Sequence, residues 1–410
     1  MRIKAFSKKQ GKIFRFIKQP YGALICDGAV RSGKTLCMTI AFVMWAMANF
    51  DHTNFAICGK TIQSAERNIL TPFQSVEGLP YRISYKSSKM LLTVCCGDRE
   101  NFFYLFGGKD ERSYALIQGI TLAGVLFDEV ALMPQSFVDQ AIARTLTFPQ
   151  KKLWFNCNPD SPNHWFYTEW VKKPEKHNAV HLHFLMQDNP VMTPKAIQDA
   201  ENMFSGVFYD RYVRGLWVVA EGRVYDQFSE ARHVLRGSTY GMDGQFYVSI
   251  DYGTINPCSM GLWCVQNKRA IRIKEWYYDS RKEQRQMTDE EYYAALEELT
   301  RGYYIRKVIV DPSAASFIEC IRRHRRFTVW DADNDVLNGI RVTSSLLTSG
   351  MVQIHESCED AIREFGLYRW DEKTQSDKVL KENDHAMDEI RYFCYTILAR
   401  EFRWADWKVK

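Results

Sequence analysis

The stretch Gly28-Ala29-Val30-Arg31-Ser32-Gly33-Lys34-Thr35 constrains this chain more than any other. It fills every fixed position of the pattern G-x-x-x-x-G-K-[ST]. An apolar, strand-like run, Ala23-Leu24-Ile25-Cys26, leads into it, and a helix-like run from Leu36 to Ala48 follows. Strand, glycine-rich turn and helix in that order aim backbone N–H groups and the positive end of a helix at one point, which suits a polyphosphate. Gly28, Arg31, Ser32 and Gly33 are expected to line that cradle. Lys34 is expected to reach the β- and γ-phosphates of ATP, and the Thr35 hydroxyl to hold Mg²⁺.

The run Gly124-Val125-Leu126-Phe127-Asp128-Glu129 is a second anchor, an apolar strand that ends in two carboxylates. Asp128 is expected to hold Mg²⁺ through its water shell, and Glu129 to polarise the attacking water. The pair implies hydrolysis as well as binding, and hence a P-loop ATPase domain of the ASCE type. Lys152 to Pro159 reads as a further strand with polar amides at its tip, where Asn158 is expected to sense the γ-phosphate. Ahead of the loop, Gln19 with Phe16 or Tyr21 is a candidate adenine sandwich. Asn54 to Lys60 reads as a strand, Thr61 to Leu70 as a helix stopped near Pro72, and Leu91–Cys96 with Asn101–Phe106 as a hairpin.

Composition excludes several classes. The chain has 410 residues, room for two domains, and 54 Lys+Arg against 49 Asp+Glu give a net charge of +5, too mild to mark a nucleic-acid binder. Basic residues do cluster in residues 1–20 (Arg2, Lys4, Lys8, Lys9, Lys12, Arg15, Lys18) and around His324 (Arg322, Arg323, Arg325, Arg326). The eleven cysteines form no C-x-x-C pair, which argues against a zinc knuckle or a disulfide framework and for a reducing compartment. No signal-peptide core is present, and the longest apolar run, Leu36 to Ala48, is too short to span a bilayer.

From Phe246 the pattern changes. Phe246 to Gly253 is an apolar strand delivering Asp251 to its end, and Ser259–Val265 and Ala270–Tyr278 complete a meander. A helix from Thr288 follows, then strand Lys307–Asp311, a helix, strand Phe327–Trp330, a helix, strand Val352–Ile354 and a closing helix to about Arg400. Three strands, a helix, then alternating strands and helices is a ribonuclease-H-like layout. Its chemistry is two-metal phosphodiester cleavage, in which hard divalent cations take oxygen ligands. The fold expected is therefore α/β, with an N-terminal P-loop ATPase domain (residues 1–185), a connector (186–235) and a C-terminal ribonuclease-H-like nuclease domain (236–410).

The GxxxxGKT loop, the apolar-DE box, Asn156-x-Asn158-Pro159 followed by Asn163-His164-Trp165, and Gly215-Leu216-Trp217…Glu221-Gly222-Arg223-Val224-Tyr225 together resemble the tailed-phage terminase large subunits, the PBSX-like branch most closely. The resemblance covers nearly the whole chain. It implies that an aspartate of the Asp384-His385-x-x-Asp388 box joins the nuclease site, so Asp388 is expected as third metal ligand beside Asp251 and Asp311. His385 lies at i, i+3 from Asp388, and Asp384 is an N-cap candidate. The implied function is a DNA-packaging motor that hydrolyses ATP and cuts concatemers using Mg²⁺ or Mn²⁺. Its implied partners are double-stranded DNA, the portal protein and the small terminase subunit, in a ring-shaped homo-oligomer, a pentamer, in the host cytoplasm and transiently at the procapsid portal. Gln118-Gly119 stands where many members have Arg-Gly, leaving Arg112 and Arg144 as alternatives for the trans-acting arginine. The rivals are a helicase or resolvase with a nuclease tail, and an assembly protein with an inactive nuclease.

Overall fold

The computed structural model describes residue 3 and residues 5–239, 241–372 and 377–399. Arg2, Lys4 and the expected helix end at Arg400 lie outside the described residues. The chain divides into two compact units: Met1–Ala200 with Tyr209–Val219, and Glu201–Phe208 with Ala220–Lys410. The division is threaded where a simple connector over 186–235 was expected, because residues 209–219 return to the first unit.

The first unit is built on strands β1 (Ala23–Gly28), β2 (Asn54–Gly59), β3 (Arg82–Lys86), β4 (Leu91–Cys96), β5 (Arg99–Gly107), β6 (Gly124–Asp128), β7 (Lys152–Asn156) and β8 (Ala179–Phe184). They form one sheet in the order β3-β4-β5-β2-β6-β7-β1-β8. Only the β3-β4-β5 edge is antiparallel. β1, β6 and β7 are buried at every position, as parallel strands covered on both faces must be, and so they read as continuous apolar runs. The loop helix, Lys34–Asn49, packs Met38, Phe42 and Trp45 into one core cluster. A second cluster on Phe127, Phe155 and Trp170 fills the opposite face. The segment expected as one helix stopped near Pro72 runs on to Gln74, through a π-helical turn at Glu66–Leu70. The π turn lies directly ahead of Pro72, whose missing N–H and bulky ring rule out a regular α-helical bond there.

The second unit carries β9 (Val234–Leu235), β10 (Gln245–Asp251), β11 (Cys258–Gln266), β12 (Arg269–Tyr278), β13 (Ile305–Val310), β14 (Val329–Asp331) and β15 (Val352–His355). Their order is β14-β13-β10-β11-β12-β15-β9. The meander β10-β11-β12 is antiparallel, while β13 and β14 extend it in parallel beyond β10. This is the ribonuclease-H-like arrangement. The closing helix, His385–Phe393, lies on β10 and β11. Glu389 anchors it: fully buried, it takes hydrogen bonds from Arg272 Nε at 2.9 Å, Trp263 Nε1 at 3.0 Å and the Ser249 hydroxyl. A charge taken this far from water is tolerable only with such a complete set of partners. Among the described residues no helix is long and apolar enough to cross a membrane.

Candidate active sites

In the first unit the sheet register assembles the site. β7 lies between the loop strand β1 and β6, the strand of the apolar-DE box, and Asn156 is in register with Cys26 on one side and Asp128 on the other. Its amide therefore donates to Thr35 Oγ1 at 2.7 Å and to Asp128 Oδ1 at 2.5 Å, with Thr35 Oγ1 3.3 Å from the same carboxylate oxygen. Sequence reasoning singled out Asn158 and passed over Asn156, although both stand in the same N-x-N box. Asn158 Oδ1 lies 3.4 Å from Lys34 Nζ, which also donates to the carbonyls of Gly28 and Ala29 at 3.0 and 2.7 Å. Burial pushes the Lys34 ammonium pKa below its ordinary value and raises the Asp128 carboxyl to about 7, with the neighbouring Glu129 charge adding to the rise. Hydroxyl, carboxylate and amide oxygens are the donor set a hard divalent cation takes, so the residues fit Mg²⁺. Glu129 sits at φ 56°, a left-handed conformation costing about 1 kcal/mol for a non-glycine residue. Strain of that kind collects at functional sites.

The loop backbone is held from several directions. Gly28, at φ 120°, lies so close to the Phe184 carbonyl that a Cβ would collide with it. Val30 N–H donates to the Tyr212 carbonyl at 2.9 Å, and the Asn189 amide donates to the Arg31 carbonyl at 2.7 Å. Asp27, one residue ahead of the loop and 1% exposed, takes His181 Nε2 at 2.8 Å, His183 Nδ1 at 3.0 Å and the Trp217 indole N–H at 2.7 Å. Burial alone would raise its carboxyl, but these bonds outweigh burial and hold it well below the usual carboxylate range. This knot was missed because its three donors come from positions 181, 183 and 217, far from Asp27 in sequence.

Gln19 requires correction. It precedes β1, and its carbonyl takes the Lys152 ammonium at 2.8 Å, at the sheet edge opposite the loop and roughly 16 Å from it at 3.3 Å per residue. Phe16 is fully buried, edge-on to Trp154 at 4.8 Å, and so cannot stack on a base. The glutamine at the loop is Gln10, 3% exposed, whose Nε2 donates to the Ser32 carbonyl at 3.2 Å. Ser7 and Gln10 exchange hydrogen bonds at 3.0 and 3.1 Å, the reciprocal S-x-x-Q pattern that was legible in the sequence. Arg112 is exposed and Arg144 half-buried with Nε unpaired, so neither is singled out as the trans-acting residue.

In the second unit, Ile250 of β10 pairs with Val310 of β13, which brings Asp251 and Asp311 to neighbouring strand ends. The closing helix adds His385, whose Nδ1 lies 2.9 Å from Asp251 Oδ2. Asp388 accepts from Arg391 Nη2 at 2.9 Å and from Lys381 Nζ at 3.2 Å. Burial raises the Asp251 carboxyl to about 6; His385 opposes the rise, and Asp388 and Asp384 add to it. Asp311 moves the other way: burial acts to raise it, but bonds from Ser313, Tyr392 and Asn334 hold it below the ordinary value. The three carboxylates do not close into a group within 4.8 Å among the described residues. Like charges repel, and Lys381 and Arg391 hold the oxygens of Asp388. Three carboxylates fit hard cations by donor type. Asp384 stands at the N-cap position yet makes no capping bond; its carboxylate turns to Lys381 at 3.3 Å, an ion pair that competes with the helix N–H groups. The basic segment is partly neutralised, with His324 2.8 Å from Glu290 and Arg326 2.8 Å from Glu297.

The family model described as terminase large subunit, T4likevirus-type, N-terminal, matches residues 25–232. A large terminase from a thermophilic bacteriophage, solved in complex with ADP, is 44% identical over 96% of this chain and 100% of that one, with a TM-score of 0.90. Another crystal form of the same phage protein gives 45% identity at the same coverage and a TM-score of 0.92. The terminase large subunit of Escherichia phage T5 is 24% identical over 290 residues, 67% of this chain, and the match spans 65% of that protein's length. The order of boxes, the two sheets and these likenesses agree: the chain belongs to the terminase large subunit family.

Proposed function

We propose that this chain is the motor of a phage DNA-packaging machine: it hydrolyses ATP to drive double-stranded DNA into a procapsid and cuts the concatemer with its second unit. The observation that carries the reading is the coexistence, in one chain of this family, of a Thr35–Asn156–Asp128 cluster beside Glu129 and a strand-end aspartate pair bonded to the closing helix. Lys34 places positive charge on the transferred phosphate, Glu129 accepts a proton from the attacking water, and Asn158, in reach of Lys34, registers departure of the γ-phosphate. Thr35 and Asp128 would hold Mg²⁺, and Asp251, Asp311 and Asp388 would hold a pair of Mg²⁺ or Mn²⁺ ions, which would supply Lewis acidity. His385 orients Asp251. The thermophilic phage protein's complex with ADP supports the nucleotide assignment. Portal protein, small subunit, a homo-oligomeric ring and a site of action in the host cytoplasm follow from the same reading.

The purified chain, incubated with plasmid and Mn²⁺ or Mg²⁺ while ATP hydrolysis is followed, is expected to show both activities, with hydrolysis rising on addition of procapsids bearing the portal. Strand separation without procapsid dependence would replace the motor with a helicase-type nuclease. Absence of cleavage with intact hydrolysis would leave an assembly ATPase.

A further inference from the structure

The helices Asp289–Leu299 and Ala315–His324 pack together on the outside of the second sheet. Cys320 and His324 stand at i and i+4 on the second helix and so share a face; Glu290 projects from the first turn of the other. The ligand-capable atoms of the three all lie within 4.8 Å of one another. His324 Nε2 is 2.8 Å from the Glu290 carboxylate, and its ring is stacked flat on Tyr293, centroids 3.8 Å apart at 8°. The thiol reaches the pair from the buried side, since Cys320 is 0% exposed. A surface ion pair has no need of that third group.

We infer that Glu290, Cys320 and His324 form a zinc site that bolts these two helices together. Tetrahedral Zn²⁺ with sulfur, nitrogen and oxygen ligands sets ligand atoms roughly 3.3–3.6 Å apart, so the Glu290–His324 pair, now at 2.8 Å, opens by about 0.6 Å and the thiol needs to close by no more than about 1 Å. Thiolate and imidazole select Zn²⁺ over Mg²⁺. On binding, the Cys320 thiol passes its proton to solvent and the sulfur lone pair takes the metal, His324 gives its Nε2 lone pair, and water fills the fourth, exposed position. Thiolate and carboxylate cancel the charge of the ion, so the neighbouring arginines do not oppose it. The site is distinct from the aspartates: His324 lies about 13 Å along its helix from the end that follows Asp311, at 1.5 Å per residue.

The test uses the full chain titrated with Co²⁺ as a spectroscopic stand-in, beside Cys320→Ser, His324→Gln and Asp311→Asn. Wild type and Asp311→Asn are expected to show one thiolate-to-cobalt charge-transfer band per chain, which Zn²⁺ abolishes and excess Mg²⁺ leaves in place. Cys320→Ser should lack the band and His324→Gln should weaken it strongly, with the far-UV circular dichroism and the thermal transition of the second unit retained in both as the check on folding. No thiolate band in wild type, or an unchanged band in either the cysteine or the histidine variant, overturns the assignment.

Discussion

The two active-site clusters are held in different ways. In the first unit, backbone register does the work: three adjacent parallel strands line up Cys26, Asn156 and Asp128, and one amide joins the Thr35 hydroxyl to the carboxylate. In the second, side-chain ion pairs do it: Asp388 is shared between Lys381 and Arg391, and His385 reaches across to Asp251. A site fixed by strand register is rigid, whereas one fixed by ion pairs yields to any competing cation. The first cluster is set to receive one ligand in one geometry. Under the proposed function, the second would exchange the side-chain cations Lys381 and Arg391 for metal ions.

The comparison breaks most completely at its two central groups. Lys34→Ala is expected to abolish ATP hydrolysis while plasmid cleavage with Mn²⁺ persists; hydrolysis near the wild-type rate would remove the phosphate-loop role. Asp251→Ala or Asp311→Ala should eliminate cleavage and spare hydrolysis, and the double variant should be no worse than either alone, because ligands of one metal pair act as a unit. Gel assays of nicked and linear plasmid, run beside phosphate release, check both.

A smaller effect separates chemistry from binding within the first site. Glu129→Gln is expected to lower turnover by about 10²-fold or more at unchanged nucleotide affinity, the range of a lost general base. Equal losses in titration calorimetry and turnover would make the strained glutamate structural.

Proton linkage gives a gentler distinction. Asp128 and Asp251, raised to about 7 and about 6, favour their protonated forms in the fold. Their contribution to stability is full below pH ~4 and lost as pH rises through those values. In EDTA the melting temperature should therefore fall between pH 5 and 7.5, less so in Asp128→Asn, and Mg²⁺ should restore it. An identical pH profile in Asp128→Asn would assign the fall to other groups.

The least effect belongs to the basic segment. Arg323→Glu should reduce the salt slope of DNA binding by about one unit if that side chain meets a phosphate, as measured by anisotropy across a salt series. An unchanged slope returns it to a solvated helix end.

What the sequence made legible follows the range of the interactions. Lys34, Thr35, Asp128 and the strand-end aspartates were readable because short apolar runs and their punctuation place them. The ribonuclease-H-like order came from the sequence of strand and helix patterns. Asn156 was passed over for Asn158 because only the pairing of β7 between β1 and β6 decides which amide faces Thr35. Gln19 was singled out for its nearness to the loop in sequence, although the length of β1 separates it from the loop in space, and Gln10 drew no notice. Asp27 was invisible for a related reason: its partners lie at positions 181, 183 and 217. The Glu290–Cys320–His324 group follows no spacing rule, since two of its members share a helix and the third comes from another.

The Trp217 indole on Asp27 has a consequence for heredity. Phage genes exchange segments by crossover, and the ATP-binding unit is not one uninterrupted stretch of the gene. A crossover near residue 186 would replace Trp217 and the Tyr212 carbonyl that holds Val30 with those of another lineage, while keeping the Asp27 they must fit. A buried carboxylate with the wrong partner costs about 1–3 kcal/mol or more, enough to be selected against. The interleaving of residues 201–208 and 209–219 between the two units leaves no earlier point at which one can be inherited without part of the other. The two units are expected to descend as a pair.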